Sequence, residues 1–257
     1  MDVRVSTMWS TEHPMLNELI EITSNIFSDR YPQAQAIFLA GSVVRGESTS
    51  TSDLDLVVVF KHLSCAYRDS YFYRDWPIEA FVHDPQTLDY FFRYVDRPTG
   101  VPSLPRMVAE GIEVPIANEF TRALKQLANS VLKDGPPIWS QQDIDNSRYG
   151  ITDLIEDIRD PRSAQEMHAI ATLLYSALAN HYLRRQNLWS AKGKAIPRSL
   201  QTVNADFAKR FGNSFTKVFA DSRSEEVIDI AAEILDADGG FLFEGHRLEA
   251  PSSWRIE

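Results

Sequence analysis

The stretch that most limits what this chain can become runs from Ala36 to Phe60, AIFLAGSVVRGESTSTSDLDLVVVF. Its first apolar run, Ala36 to Ala40, is too short for a helix and stops at Gly41-Ser42, so it predicts a buried strand entering a turn. A polar loop, Glu47 to Ser52, leads to a second run, Leu54 to Phe60, rich in Val and Leu. Two aspartates, Asp53 and Asp55, stand at the start of that second strand. Side chains alternate along a strand, so both carboxylates leave one face and Leu54 the other. Like charges held side by side repel, and the pattern makes chemical sense with cations between them. Carboxylates are the hard oxygen ligands that Mg²⁺ accepts, usually one or two per ion alongside substrate phosphates.

Gly41-Ser42 suits the other half of such a site. Glycine lets the backbone approach a phosphate without a Cβ in the way. The Ser42 hydroxyl and the amides of the following turn are donors for phosphate oxygens, more so if Ser42 opens a helical turn. Gly-Ser, ten intervening residues, then Asp-Leu-Asp at a strand start resembles the signature of the DNA polymerase β-like nucleotidyltransferase superfamily, and Arg45-Gly46 and Ser52 fit it too. Further on, Pro77-Ile-Glu-Ala-Phe-Val82 predicts a third strand with Glu79 and Phe81 on one face. An edge strand with Glu79 in water is one reading. The other places Glu79 beside Asp53 and Asp55, because IEAFVHD resembles the aminoglycoside-modifying branch (streptomycin- and kanamycin-type adenylyltransferases). There a strand with a Glu, apolar residues and a His or Asp closes the acidic site.

The resemblance implies an α/β nucleotidyltransferase core, a small mixed sheet flanked by helices, followed by an all-α helical bundle. It implies transfer of AMP from ATP to a hydroxyl of a small molecule such as an aminoglycoside, with two Mg²⁺ ions. Asp53, Asp55 and Glu79 are the implied metal ligands, and Gly41, Ser42, Arg45 and Ser52 the implied nucleotide contacts. Glu79 has two candidate jobs, third ligand or general base for the acceptor hydroxyl, and the reading here favours the base, since two aspartates already serve ions that also hold phosphates.

Composition trims the alternatives. A net charge of −10 and a pI near 5.1 argue against a duplex-binding polymerase, whose footprint should be basic. An acidic body is compatible with a cationic acceptor. The single cysteine, Cys65, excludes a disulfide framework and a cysteine-rich zinc site. No apolar stretch reaches the ~20 residues of a membrane span, and the N-terminus lacks a signal-peptide core, so the expectation is a cytoplasmic protein without membrane contact.

Along the chain, residues 14–29 carry Leu16, Leu19, Ile20, Ile22, Ile26 and Phe27 at helical spacing, with Thr11 or His13 near the start. Lys61 to Trp76 is read as a short helix or a cleft-lining loop, its aromatics serving packing rather than base stacking. Asp84-Pro85 reads as an N-cap with Pro at the first helical position. Ser103 to Gly111 and Pro115 to Lys133 predict helices. Asp134-Gly-Pro-Pro137 is the expected hinge, dividing a nucleotidyltransferase domain, 1–137, from a helical domain, 138–257. In the latter, helices are expected over Asp143 to Arg159, Ser163 to Trp189, Arg198 to Phe211 and Ser224 to Leu235.

Lys192, Lys194 and Arg198 form a cationic loop there, read either as solvated surface or as further nucleotide-binding residues, by resemblance to the helical domains of the adenylyltransferases. Two other readings stay open. One is a regulatory or antitoxin-type nucleotidyltransferase with a protein partner as acceptor. The other rests on Arg162 and His168, which resemble the Arg–His pair of HEPN-family ribonucleases.

Overall fold

Short apolar runs broken by turn residues become strands, and longer runs with a period near 3.6 become helices. The computed structural model describes residues 14–49 and 51–255. Thr11 and His13, expected near the first helix start, lie outside them. The described chain divides into two compact units between Gly135 and Pro136.

The first unit is built on a five-stranded mixed sheet, in the order β3-β4-β2-β1-β5: β1 (Ala36–Ala40), β2 (Leu54–Val59), β3 (Tyr67–Tyr73), β4 (Trp76–His83) and β5 (Ile112–Val114). The β1–β2, β1–β5 and β3–β4 pairs are antiparallel and β2–β4 is parallel. The central strands β1 and β2 are buried on both faces, which is why they read as continuous apolar runs. On one face Ile37, Leu39, Leu56, Val58, Ala80 and Val82 pack with Leu19, Ile22 and Ile26 of α1 (Pro14–Arg30). On the other, Phe38, Val57 and Val59 pack under α2 (Pro85–Tyr90), the π-helical turn Phe91–Asp96 that leads into α3 (Arg97–Thr99), α4 (Ser103–Glu110) and α5 (Glu119–Asp134). Asp84 caps α2 by accepting from the Thr87 N–H at 2.8 Å.

One expectation for this unit is corrected, one open reading is closed and one strand is added. Lys61 to Trp76 is neither helix nor loop alone, because Tyr67–Tyr73 is the outer strand β3. Its turn runs through Arg74 and Asp75, both with positive φ, the geometry of a tight hairpin. Arg-Asp lacks the usual Asn-Gly signal, so the sequence did not announce it. The strand carrying Glu79 is therefore not an edge strand: β4 lies between β3 and β2. Between the two expected helices, Ile112–Val114 adds β5 beside β1.

The second unit contains α6 (Gln141–Arg159), α7 (Ala164–Arg185), α8 (Ala195–Val203), α9 (Ala205–Asp221) and α10 (Glu225–Asp236) among its described residues. Ile151, Ile155, Leu174, Leu178, Phe207, Phe211, Val218, Val227 and Leu235 form its core. The single helix expected over Arg198 to Phe211 is two: Asn204 leaves helical geometry and its side chain accepts from the Phe207 N–H at 2.9 Å, capping α9. After α10 the chain returns along α6, where Arg148 donates to the Gly240 carbonyl at 2.9 Å and His246 stacks on Tyr149 at 4.1 Å. Among the described residues no helix is long and apolar enough to cross a membrane.

Candidate functional site

Register explains how three carboxylates meet. Asp55 lies opposite Ala40 of β1 on one side and opposite Glu79 of β4 on the other. Asp53, two residues earlier, leaves the same face. Asp53, Asp55 and Glu79 are all half-buried, and each offers an oxygen within 4.8 Å of the others. This set of hard, anionic donors fits a divalent cation such as Mg²⁺.

Gly41 belongs to the same construction. Its φ is +80°, and a Cβ built there would stand 2.0 Å from Asp55 Oδ2. The turn therefore passes so close to Asp55 that only glycine fits, on both conformational and steric grounds. The turn is not the start of a helix: residues 42–46 form one hydrogen-bonded loop, closed by the Glu47 N–H to the Ser42 carbonyl at 2.9 Å. Ser42 is buried, and its hydroxyl donates to Ser52 Oγ at 3.3 Å. Ser52 in turn accepts from the Thr49 N–H at 2.8 Å. The two serines thus tie the polar loop down beside the acidic group.

Arg45 is held by acids of its own, Glu47 at 3.1 Å and Glu110 at 3.5 Å. Neither partner was visible as such in the sequence, since one lies in a loop and the other on α4. Arg68 was missed as well. From β3 it forms an ion pair with Glu79, while its guanidinium lies 5.0 Å over the Phe81 ring. The tyrosines of β3 that point the other way serve packing: Tyr71 stacks under Arg30 at 3.8 Å and the Tyr73 hydroxyl donates to Asp29 at 2.6 Å. Phe72, on the Arg68 face, is 78% exposed.

His83 and Asp84 do not join the acidic group. His83 lies opposite Val59, at the other end of β2 from Asp55. It is buried against Phe91, with Nδ1 3.2 Å from Thr87 Oγ1, and burial pushes its pKa down to about 4. Asp84 is a cap that also accepts from the Leu63 N–H at 3.0 Å; hydrogen bonds from Thr87 and Leu63 hold its pKa low against the opposing effect of burial.

In the second unit, Lys192 and Lys194 are exposed just before α8, and Arg198 is half-buried within it. Arg162, just before α7, is largely exposed and lies 4.0 Å from Glu166, and the His168 ring packs against Phe219 at 5.5 Å with its buried Nε2 lacking a hydrogen-bond partner among the described residues. A triplet centred on buried His181, which the sequence did not reveal, joins α6, α7 and the chain after α10. Its His181 ring lies 2.9 Å from Ser147 Oγ and 3.0 Å from Asp238, which Arg185 also grips.

Residues 20–94 match the family model described as Nucleotidyltransferase domain. That span contains Gly41, Ser42, Arg45, Ser52, Asp53, Asp55 and Glu79. No curated protein matches the chain. Among solved structures, the chain is similar to a nucleotidyltransferase-like protein from Exiguobacterium sibiricum 255-15, with 14% sequence identity, a TM-score of 0.42, and coverage of 85% of this chain and 73% of that one.

Proposed function

We propose that this protein moves a nucleoside monophosphate, AMP from ATP, onto a hydroxyl of a small molecule, an aminoglycoside being the acceptor class we favour. The observation that carries the reading is the convergence of Asp53, Asp55 and Glu79 within 4.8 Å, beside the glycine turn and inside the segment that matches the nucleotidyltransferase family. Asp53, Asp55 and Glu79 would hold the divalent cation, two Mg²⁺ ions in our reading. Bound there, it would offset charge on the triphosphate and on the departing pyrophosphate.

The chain's own residues do the rest. Amides of the turn after Gly41 and the Ser42 hydroxyl donate to phosphate oxygens, Ser42 exchanging its bond to Ser52 for one to the ligand. The acceptor oxygen attacks the α-phosphorus in line; an O–P bond forms, the bond to the bridging oxygen breaks, and pyrophosphate leaves. Positioning and charge stabilisation supply most of the rate. Glu79 is the residue whose role the geometry shifts. Its closeness to both aspartates supports the ligand role over the general base favoured from sequence. The acceptor proton would then pass to solvent or to an aspartate. Lys192, Lys194 and Arg198 are proposed as further phosphate contacts on the strength of their charge.

Incubation with ATP, Mg²⁺ and an aminoglycoside panel, read by mass spectrometry, tests this. We expect one nucleoside monophosphate added to an acceptor and pyrophosphate released, with both signals lost in Asp53→Asn and Asp55→Asn proteins that remain folded. Label on a co-purified protein would move the acceptor from small molecule to protein. Wild-type turnover by Asp55→Asn would refute the assignment.

A further inference from the structure

Three carboxylates within 4.8 Å repel one another, and a cation-free site needs a counter-charge. The neighbouring strand supplies one. Ser70 of β3 lies opposite Glu79 and Arg68 opposite Phe81, so Arg68 is the diagonal neighbour of Glu79 on the same face of the sheet. Its guanidinium pairs with Glu79 Oε1 and rests over Phe81, with 54% of the Arg68 side chain and 28% of the Glu79 side chain exposed. A guanidinium brings a fixed positive charge to the carboxylate it pairs with. A divalent cation drawing on the same carboxylate must meet a fixed positive charge.

We infer that Arg68 is the resident counter-charge of Glu79: it holds the third carboxylate while the site lacks a divalent cation, releases it on loading, and so sets the cation affinity of the triad. The inference rests on the transfer reading only in requiring that a divalent cation binds at the triad. Arg68 is thus a positioning residue, acting through Glu79. Because the pair is partly exposed and solvent-screened, its competition is worth about two- to five-fold in cation affinity.

The test uses the full chain without nucleotide and Mn²⁺ as probe, titrated by calorimetry and by the loss of the free-ion paramagnetic signal. Arg68→Gln keeps a stem over Phe81 and removes the charge; Arg68→Ala is the second variant, and Arg68→Lys the conservative rescue. Tighter Mn²⁺ binding by about two- to five-fold is expected for Gln and Ala, with Lys close to wild type. The gain should vanish in a Glu79→Gln background, an outcome that a merely structural role for Arg68 would not produce. Unchanged or weaker Mn²⁺ affinity in Arg68→Gln, or the same gain with Glu79 already replaced, would overturn the inference and leave the transfer reading standing. Absence of Mn²⁺ binding in wild type and variants alike would overturn both.

Discussion

Gly41 is where backbone geometry and the acidic group depend on each other, and replacing it by alanine separates the two effects. At a φ of +80° an L-residue pays roughly 1–2 kcal/mol in left-handed strain. The new Cβ would also stand 2.0 Å from Asp55 Oδ2 and 2.8 Å from its Cγ, so Asp55 must leave its rotamer. An off-rotamer side chain costs about 0.5–1.5 kcal/mol. Together Gly41→Ala should destabilise the first unit by about 1.5–3.5 kcal/mol. In an Asp55→Ala background the Oδ2 and Cγ clashes disappear, and only the backbone strain and a 3.0 Å approach to Cβ remain. The loss there should fall to about 1–2 kcal/mol. Urea unfolding of the four proteins of this double-mutant cycle gives the coupling directly. An equal loss in both backgrounds would mean that the turn and Asp55 are not packed as described. Cation binding should weaken in Gly41→Ala alone, because Asp55 is displaced while its charge is retained.

Other outcomes follow from the same geometry. Glu79→Gln should weaken Mg²⁺-dependent ATP binding together with turnover if Glu79 is a ligand. ATP binding within a few-fold of wild type, with turnover down roughly 10²–10⁴-fold, would instead restore it as general base. Alanine at Lys192, Lys194 or Arg198 should weaken ATP binding by about 1–3 kcal/mol at whichever residue meets a phosphate, and calorimetry showing wild-type affinity for all three would make the loop plain surface. Acid should destabilise the fold earlier than its carboxylates alone require. The buried His83 stays neutral down to about pH 4, while the unfolded imidazole gains its proton near 6.5. Its contribution is therefore whole above pH 6.5 and is lost between 6.5 and 4, about 3 kcal/mol in all. Buried His181, also lowered by burial, acts in the same direction, and depressed Asp84 adds its own loss at still lower pH. Chemical denaturation at pH 7 and pH 4.5 measures this, and a flat stability across that interval would contradict the burial of His83.

The outline of the first unit and its acidic face are local properties of the sequence. β1 and β2 are legible because fully buried strands must be apolar throughout, and the two-residue period puts Asp53 and Asp55 on one face before any folding is known. Asp84-Pro85 declares a helix start for a similar reason, since a cap is a contact between residues three apart. What tertiary structure decided is pairing between residues distant in sequence. Glu79 joins the aspartates only because β4 inserts between β2 and β3, with Asp55 opposite Glu79. β3 escaped the pattern because an outer strand with one face in solvent mixes polar and aromatic residues, and Arg74-Asp75 turn without glycine. The partners of Arg45 and Glu79, and the His181–Asp238 contact, come from segments with no spacing rule between them. A sequence states which side chains share a strand or a helix face. Which strands lie side by side is set by the burial of both sheet faces at once, and that balance is struck only in the folded chain.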